Sequence, residues 1–79
     1  MSVKHQLKID QVYLDALVAG DKTFEVRYND RGYQKGDTLA FVDRNIDYRE
    51  RLFEVTYVHS GLGLEPRYVV LGIRPVVTP

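Results

Sequence analysis

Apolar and polar residues alternate with a period of two along most of this chain, which predicts a series of short β-strands. Four alternating strands are predicted, over His5–Ile9, Lys22–Tyr28, Thr38–Val42 and Arg51–His59. A fifth is predicted over residues 67–73, where "RYVVLGI" is the nearly continuous apolar run found at the centre of a sheet or in a barrel. The positions expected to face the core are Leu7, Ile9, Leu39, Phe41, Phe53, Val55 and Tyr57.

One segment has helical rather than strand spacing. Asp10 is a suitable N-cap, residues 11–19 contain neither Gly nor Pro, and Gly20 is a suitable C-cap. The sequence therefore predicts a helix of two to three turns over Gln11–Ala19. Its wide apolar face would be formed by Val12, Leu14, Ala16, Leu17 and Val18.

Short polar or glycine-containing segments separate the strands, at residues 29–32, 35–37, 43–50 and 60–66. One helix cannot cover both faces of an open five-stranded sheet, so the sheet is expected to curl around it. We therefore predict an α+β fold, a β-barrel of about five short strands with one helix packed at one end. Residues 1–79 would form a single domain.

Composition narrows the possible functions. The chain has 11 Lys and Arg against 11 Asp and Glu, a balance that argues against bulk electrostatic binding of duplex DNA but permits a local basic groove. With no cysteine, and with His5 and His59 far apart, neither a metal site nor another cofactor is expected. No apolar run approaches the ~20 residues of a membrane span. These features predict a cytoplasmic protein that does not bind membranes.

The segment Gly20–Arg27, "GDKTFEVR", concentrates charge in a predicted strand. Alternation places Glu25 and Arg27 on one face, with Lys22 at the start of the strand, and places Phe24, Val26 and Tyr28 on the other face. A lysine and an arginine beside a carboxylate could hold a phosphate or polarise a base carbonyl. The same pattern also fits a solvated strand face with a weak ion pair of ~0–1 kcal/mol.

The spacing Gly20-x-Lys22-x-x-Glu25-x-Arg27 fits G-x-K-x-x-E-x-R, the signature of the ASCH (activating signal cointegrator homology) superfamily, which is similar in fold to PUA domains. The helix that precedes Gly20, the 35–37 turn and the last strand agree with this resemblance, which covers roughly residues 5–74. "HQLKI", "KTFEVRYNDRGYQKGD" and "YVVLGI" look like a small bacterial and phage branch of that superfamily.

The resemblance implies a PUA-like barrel with a cleft beside the helix, and a ligand that is single-stranded RNA or a nucleotide. It implies that the motif strand lines this cleft, with Arg31 near the mouth. The candidate ligand-binding residues are Lys22, Thr23, Glu25, Arg27, Arg31 and Tyr33. A small RNA- or nucleotide-binding module is therefore the expected function.

Two other classes remain open. An enzyme acting on RNA or a modified nucleoside, of ribonuclease or amidohydrolase type, would use Lys22 and Glu25 as acid–base groups. Amidohydrolase-type members of the superfamily place their threonine where this chain has Glu25, and Thr23 is the residue type expected in a strand. The third class is a phage or bacterial protein-interaction module.

Five tyrosines could contribute aromatic surface for stacking on bases. Strand parity predicts that Tyr28, Tyr57 and Tyr68 face inward as part of the core. Tyr33 and Tyr48 fall in turns and are the better candidates for stacking.

Overall fold

The computed structural model describes residues 2–77, which form one α-helix and five strands in the predicted order. The elements are β1 (Lys4–Leu7), α1 (Gln11–Ala19), β2 (Phe24–Tyr28), β3 (Thr38–Asp43), β4 (Arg49–Ser60) and β5 (Tyr68–Pro75). A short 3₁₀ helix, Arg44–Ile46, lies in the connection between β3 and β4, a segment expected to be a loop or the end of a hairpin.

Helix α1 has the predicted bounds. It ends at Gly20, whose left-handed backbone (φ 83°) lets its N–H reach the carbonyls of the last turn. Leu14 and Leu17 are buried, whereas Val12 and Val18 are exposed. The apolar face of the helix is therefore narrower than predicted.

The five strands form one mixed sheet in the order β1-β3-β4-β5-β2. Strand β1 pairs in parallel with β3, and the other three pairings are antiparallel. The sheet curls into a half-barrel around α1, as the α+β prediction required, and β1 and β2 are its two edges. The core lies inside the curl, where the helix meets the inward residues of the strands. Its most completely buried side chains include Leu14, Leu17, Leu39, Phe41, Val55 and Leu71.

Strand β4 contains a bulge that reverses the alternation of its side chains. Val55 pairs with Ile73, but Tyr57 pairs with Gly72, so the register shifts between them. Val55 is fully buried, whereas Tyr57 is 65% exposed and Val58 packs against the core instead. The prediction that Tyr57 faces inward is therefore wrong.

The inward prediction is also wrong for Tyr28 and Tyr68. Both side chains are exposed on the outer face of the sheet, and their rings meet edge-to-face with centroids 5.5 Å apart. These two residues are paired across β2 and β5. They lie outside because β2 turns its charged side chains, not its apolar ones, toward the inside of the curl.

Candidate functional site

A cleft of about 980 Å³ lies between the two edges of the half-barrel. Its walls come from the end of β1, from α1, from β2, and from β3 with the connection that follows it. Because β1 and β2 are the edges of the sheet and do not pair with each other within residues 2–77, the curl remains open along this line. A cleft of this size is within the range that holds small ligands and cofactors.

Arg27 bridges the two edges. Its Nη2 donates a hydrogen bond of 2.6 Å to the carbonyl oxygen of Lys8, just beyond the end of β1. Because β1 already pairs with β3 on its other side, this carbonyl would otherwise have no partner from the sheet. A side chain therefore joins the two edges where a closed barrel would have backbone hydrogen bonds.

Glu25 is the centre of the charged cluster on β2. It is only 5% exposed, and its Oε1 accepts a hydrogen bond of 2.6 Å from the Lys22 ammonium. The Nε of Arg27 lies 3.3 Å from Glu25 Oε2, but its N–H does not point at that oxygen. Among the side chains of residues 2–77, this Nε is the only buried nitrogen or oxygen without a hydrogen-bond partner. Such orphaned buried donors are uncommon, and the negative charge of Glu25 is what compensates this one.

Aromatic rings position the Lys22 ammonium. Its Nζ lies 4.7 Å from the centre of the Tyr13 ring, on α1, and 5.4 Å from that of Phe24. Cation–π contacts of this kind favour one location for a flexible lysine. The helix and β2 therefore hold the lysine together at one wall of the cleft.

The cleft is locally positive although the chain as a whole is neutral. Its lining contains the cations Lys8, Lys22, Arg27 and Arg44, and the carboxylates Asp10 and Glu25. A concave surface with an excess of one charge concentrates ligands of the opposite charge. The site therefore favours an anionic ligand.

A hydrogen-bond network fixes the wall that follows β3. Asp43 accepts hydrogen bonds from Gln11 Nε2, from the backbone N–H of Asn45 and from Arg51 Nε, at 2.9, 2.9 and 3.1 Å. Burial raises the pKa of Asp43, but these hydrogen bonds outweigh it and hold the pKa below its usual range. The backbone N–H of Arg44 also donates to Gln11 Oε1. The start of α1 and the β3–β4 connection are thereby tied together.

Three of the six predicted site residues, Lys22, Glu25 and Arg27, line the cleft together. Thr23 and Arg31 are exposed and are not part of its lining. Tyr33 is only 4% exposed and packs edge-to-face on His5, with ring centroids 4.8 Å apart. Burial accordingly raises the pKa of its hydroxyl. The prediction of Tyr33 as an exposed stacking ring is therefore wrong, because both its turn and its ring fold onto the core.

Sequence reasoning missed Lys8, Tyr13 and Arg44, which also line the cleft. Tyr13 carried a usable signal, since it lies on the helix beside the motif but outside the predicted apolar face. Lys8 and Arg44 gave no such signal, because only the parallel pairing of β1 with β3 brings them to the same cleft. Tyr48, a stacking candidate from its turn, does line the cleft and is exposed.

No group of three or more His, Cys, Asp or Glu side chains that could hold a metal ion occurs within residues 2–77. In the same part of the chain, no helix is long and apolar enough to cross a membrane.

The fold and site together define a small half-barrel domain with a cationic cleft between its edge strands. The chain belongs to the family described as Domain of unknown function (DUF3850), whose profile matches residues 4–73. The match includes all the cleft residues named above and every predicted site residue. No curated protein matches the chain.

Proposed function

We propose that this protein is a small RNA- or nucleotide-binding module of the ASCH/PUA-like type that acts in the cytoplasm and binds its ligand in the cleft between β1 and β2. The observation that carries the proposal is the orientation of β2. Glu25 is buried and Arg27 half-buried on the inside of the curl, whereas the apolar residues Phe24, Val26 and Tyr28 are each more than 40% exposed, and of these three only Val26 also borders the cleft.

Stability alone does not account for this orientation. Burying Glu25 with a lysine and an arginine costs desolvation free energy that the ion pairing only partly offsets. A strand with the opposite orientation would bury three large apolar side chains instead. A ligand that uses the charged residues supplies the missing reason for the arrangement.

The cleft residues have complementary roles toward such a ligand. Lys8 and Arg44 supply positive charge for phosphate groups, and the Lys22 ammonium, oriented by Glu25, adds a third cation. Tyr13 and Tyr48 supply rings that bases can contact. The G-x-K-x-x-E-x-R spacing supports the same assignment, since its three charged residues, Lys22, Glu25 and Arg27, share the cleft.

The direct test is a two-dimensional amide NMR titration with a short mixed-sequence single-stranded RNA, at low and high salt. We expect salt-sensitive shifts in residues 8–13, 22–27 and 44–48, with the RNA intact afterwards. A parallel titration with a mononucleotide distinguishes an RNA site from a nucleotide site. The absence of shifts with both ligands, or shifts confined to the outer face of the sheet, would contradict the proposal.

Arg44→Ser and Arg31→Ser form a matched pair of variants for this titration. Both arginines are exposed, but only Arg44 lines the cleft. Arg44→Ser is expected to weaken RNA binding severalfold because one phosphate contact is lost, while Arg31→Ser retains the wild-type affinity. Equal losses in both variants would indicate binding through the overall charge of the surface rather than through the cleft.

The enzyme alternative has its own outcome in the same experiment. The Lys22–Glu25 contact of 2.6 Å joins an acid and a base within the cleft. If the RNA were cut, Lys22→Ala and Glu25→Ala would each be expected to abolish cleavage. Intact RNA in the presence of clear shifts would leave the protein as a binding module.

A further inference from the structure

The backbone of Tyr48 has a conformation that tyrosine rarely adopts. Tyr48 has φ 58° and the preceding residue, Asp47, has φ 62°, so both central residues of the turn 46–49 are left-handed. Turns with positive φ at both central positions favour Asn or Asp followed by Gly. Asp47 fits the first position, but Tyr48 occupies the position where glycine is preferred, and its side chain makes the conformation costly.

The fold gains little from the Tyr48 side chain in return. The residue is 69% exposed, and within residues 2–77 its side chain makes neither a hydrogen bond nor a stacking contact with another ring. Its position is nevertheless well defined, because the Asp43 network anchors the same connection to α1. Strain at a residue whose ring is exposed, in a segment that is itself anchored, is expected where the ring has a functional rather than a structural role.

We propose that Tyr48 is the platform on which a base of the ligand stacks, so that the cleft selects ligands in which a planar base adjoins a phosphate. This inference rests on the proposed function. Tyr48 lines the cleft together with Arg44 from the same connection, so one short segment presents both a ring and a cation. A base on the ring and a phosphate on the guanidinium match the two chemical parts of a nucleotide.

The strained backbone and the stacking role predict that Tyr48→Gly has opposite effects on stability and on RNA affinity. Glycine adopts the left-handed conformation without a steric penalty, so the melting temperature of the variant should equal or exceed that of the wild type. Its affinity for a short mixed-sequence single-stranded RNA should fall about tenfold, the usual effect of losing one stacked base. Tyr48→Phe keeps the ring and should bind RNA like the wild type.

Tyr57→Thr is the matched control. Tyr57 is exposed to nearly the same extent, at 65%, but lies on the outer face of β4 and does not line the cleft. Its replacement should leave RNA affinity unchanged. A loss as large as that of Tyr48→Gly would overturn the assignment of the platform to Tyr48.

An abasic oligomer of the same length separates base stacking from phosphate binding. Wild type and Tyr48→Gly should bind this oligomer equally, because it offers no base to the ring. Suppose that the wild type binds RNA. If Tyr48→Gly binds RNA equally well, or if its loss of affinity for the abasic oligomer is as large as its loss for RNA, the stacking inference is wrong and the proposed function stands. If wild type binds no RNA or mononucleotide, both fail together.

Discussion

Asp37 and Glu25 show two different uses of a buried carboxylate. Asp37 is almost fully buried and accepts hydrogen bonds from His5 Nε2 at 2.8 Å, and from the backbone N–H groups of Val3 and Gln34, both at 3.0 Å. Its donors therefore come from the segment at β1 and from the turn before β3, and none of them lines the cleft. Glu25, by contrast, sits in the wall of the cleft beside cations that a ligand can share. We accordingly expect Asp37 to matter for stability rather than for binding.

The substitution Asp37→Asn should lower the free energy of unfolding by about 3 kcal/mol at neutral pH, because it breaks a buried, charge-assisted network. Urea denaturation at pH 7 measures this loss. Asp30→Asn, at an exposed aspartate in a turn, is the control and should change stability by less than about 0.5 kcal/mol. Comparable effects in the two variants would show that the Asp37 network contributes little.

The pH dependence of the stability difference between wild type and Asp37→Asn follows from the pKa of Asp37. Burial raises this pKa, but the hydrogen bonds from His5, Val3 and Gln34 outweigh it and hold the pKa below its usual value of 3.8. The ionised form is therefore favoured by folding, and its contribution is present above pH 3.8 and lost as the pH falls through the lowered pKa. The stabilities of wild type and Asp37→Asn should converge in that range. A constant difference down to strongly acidic pH would contradict this explanation.

At the scale of elements, the sequence predicted the positions of the strands more accurately than it predicted which face of each strand points inward. The bounds of α1 and the inward positions Leu39, Phe41, Phe53 and Val55 are confirmed because they follow from local spacing. The face of the sheet on which Tyr57 lies depends on a β-bulge that the neighbouring residues do not predict. The orientation of β2 depends on its place at the sheet edge, since only there can the inner side be an open cleft.

Arg27 stabilises the sheet edge at β2, and the substitution Arg27→Met tests this role. The substitution keeps most of the side-chain volume but removes the donor to the Lys8 carbonyl and a cation beside buried Glu25. We expect a loss of about 2 kcal/mol in unfolding free energy, with faster amide hydrogen exchange in residues 7–10 and 24–28. Arg74→Met is the control, because Arg74 pairs with Glu54 on the surface and should cost at most about 1 kcal/mol. Equal costs without a local change in exchange would mean that Arg27 does not join the edges.

At the scale of the whole molecule, the site is assembled from three separate parts of the chain. Lys22, Glu25 and Arg27 were predictable because they are neighbours in one short segment of the sequence. Lys8, Tyr13 and Arg44 reach the same cleft only because α1 follows β1, and β3 runs parallel to β1 before the connection that carries Arg44. Only Tyr13, on the helix but outside its predicted apolar face, carried a signal in the sequence, whereas Lys8 and Arg44 lie in ordinary local contexts. The association of these residues with the motif is therefore a property of the topology and not of any short segment.

This assembly limits how many phosphates the ligand can place on the protein, and the salt dependence of binding measures that number. The cleft offers four cations, but Lys22 and Arg27 already face Glu25, whereas Lys8 and Arg44 have no carboxylate partner in the part of the chain that the structure describes. Two to four neutralised phosphates of a single strand correspond to a slope of about −1.4 to −2.8 for the logarithm of the association constant against the logarithm of salt concentration. Arg44→Ser should make the slope shallower by about 0.7. Tyr48→Gly should lower the affinity at every salt concentration but leave the slope unchanged. A slope steeper than about −3 would place phosphates along the outside of the half-barrel rather than in its cleft.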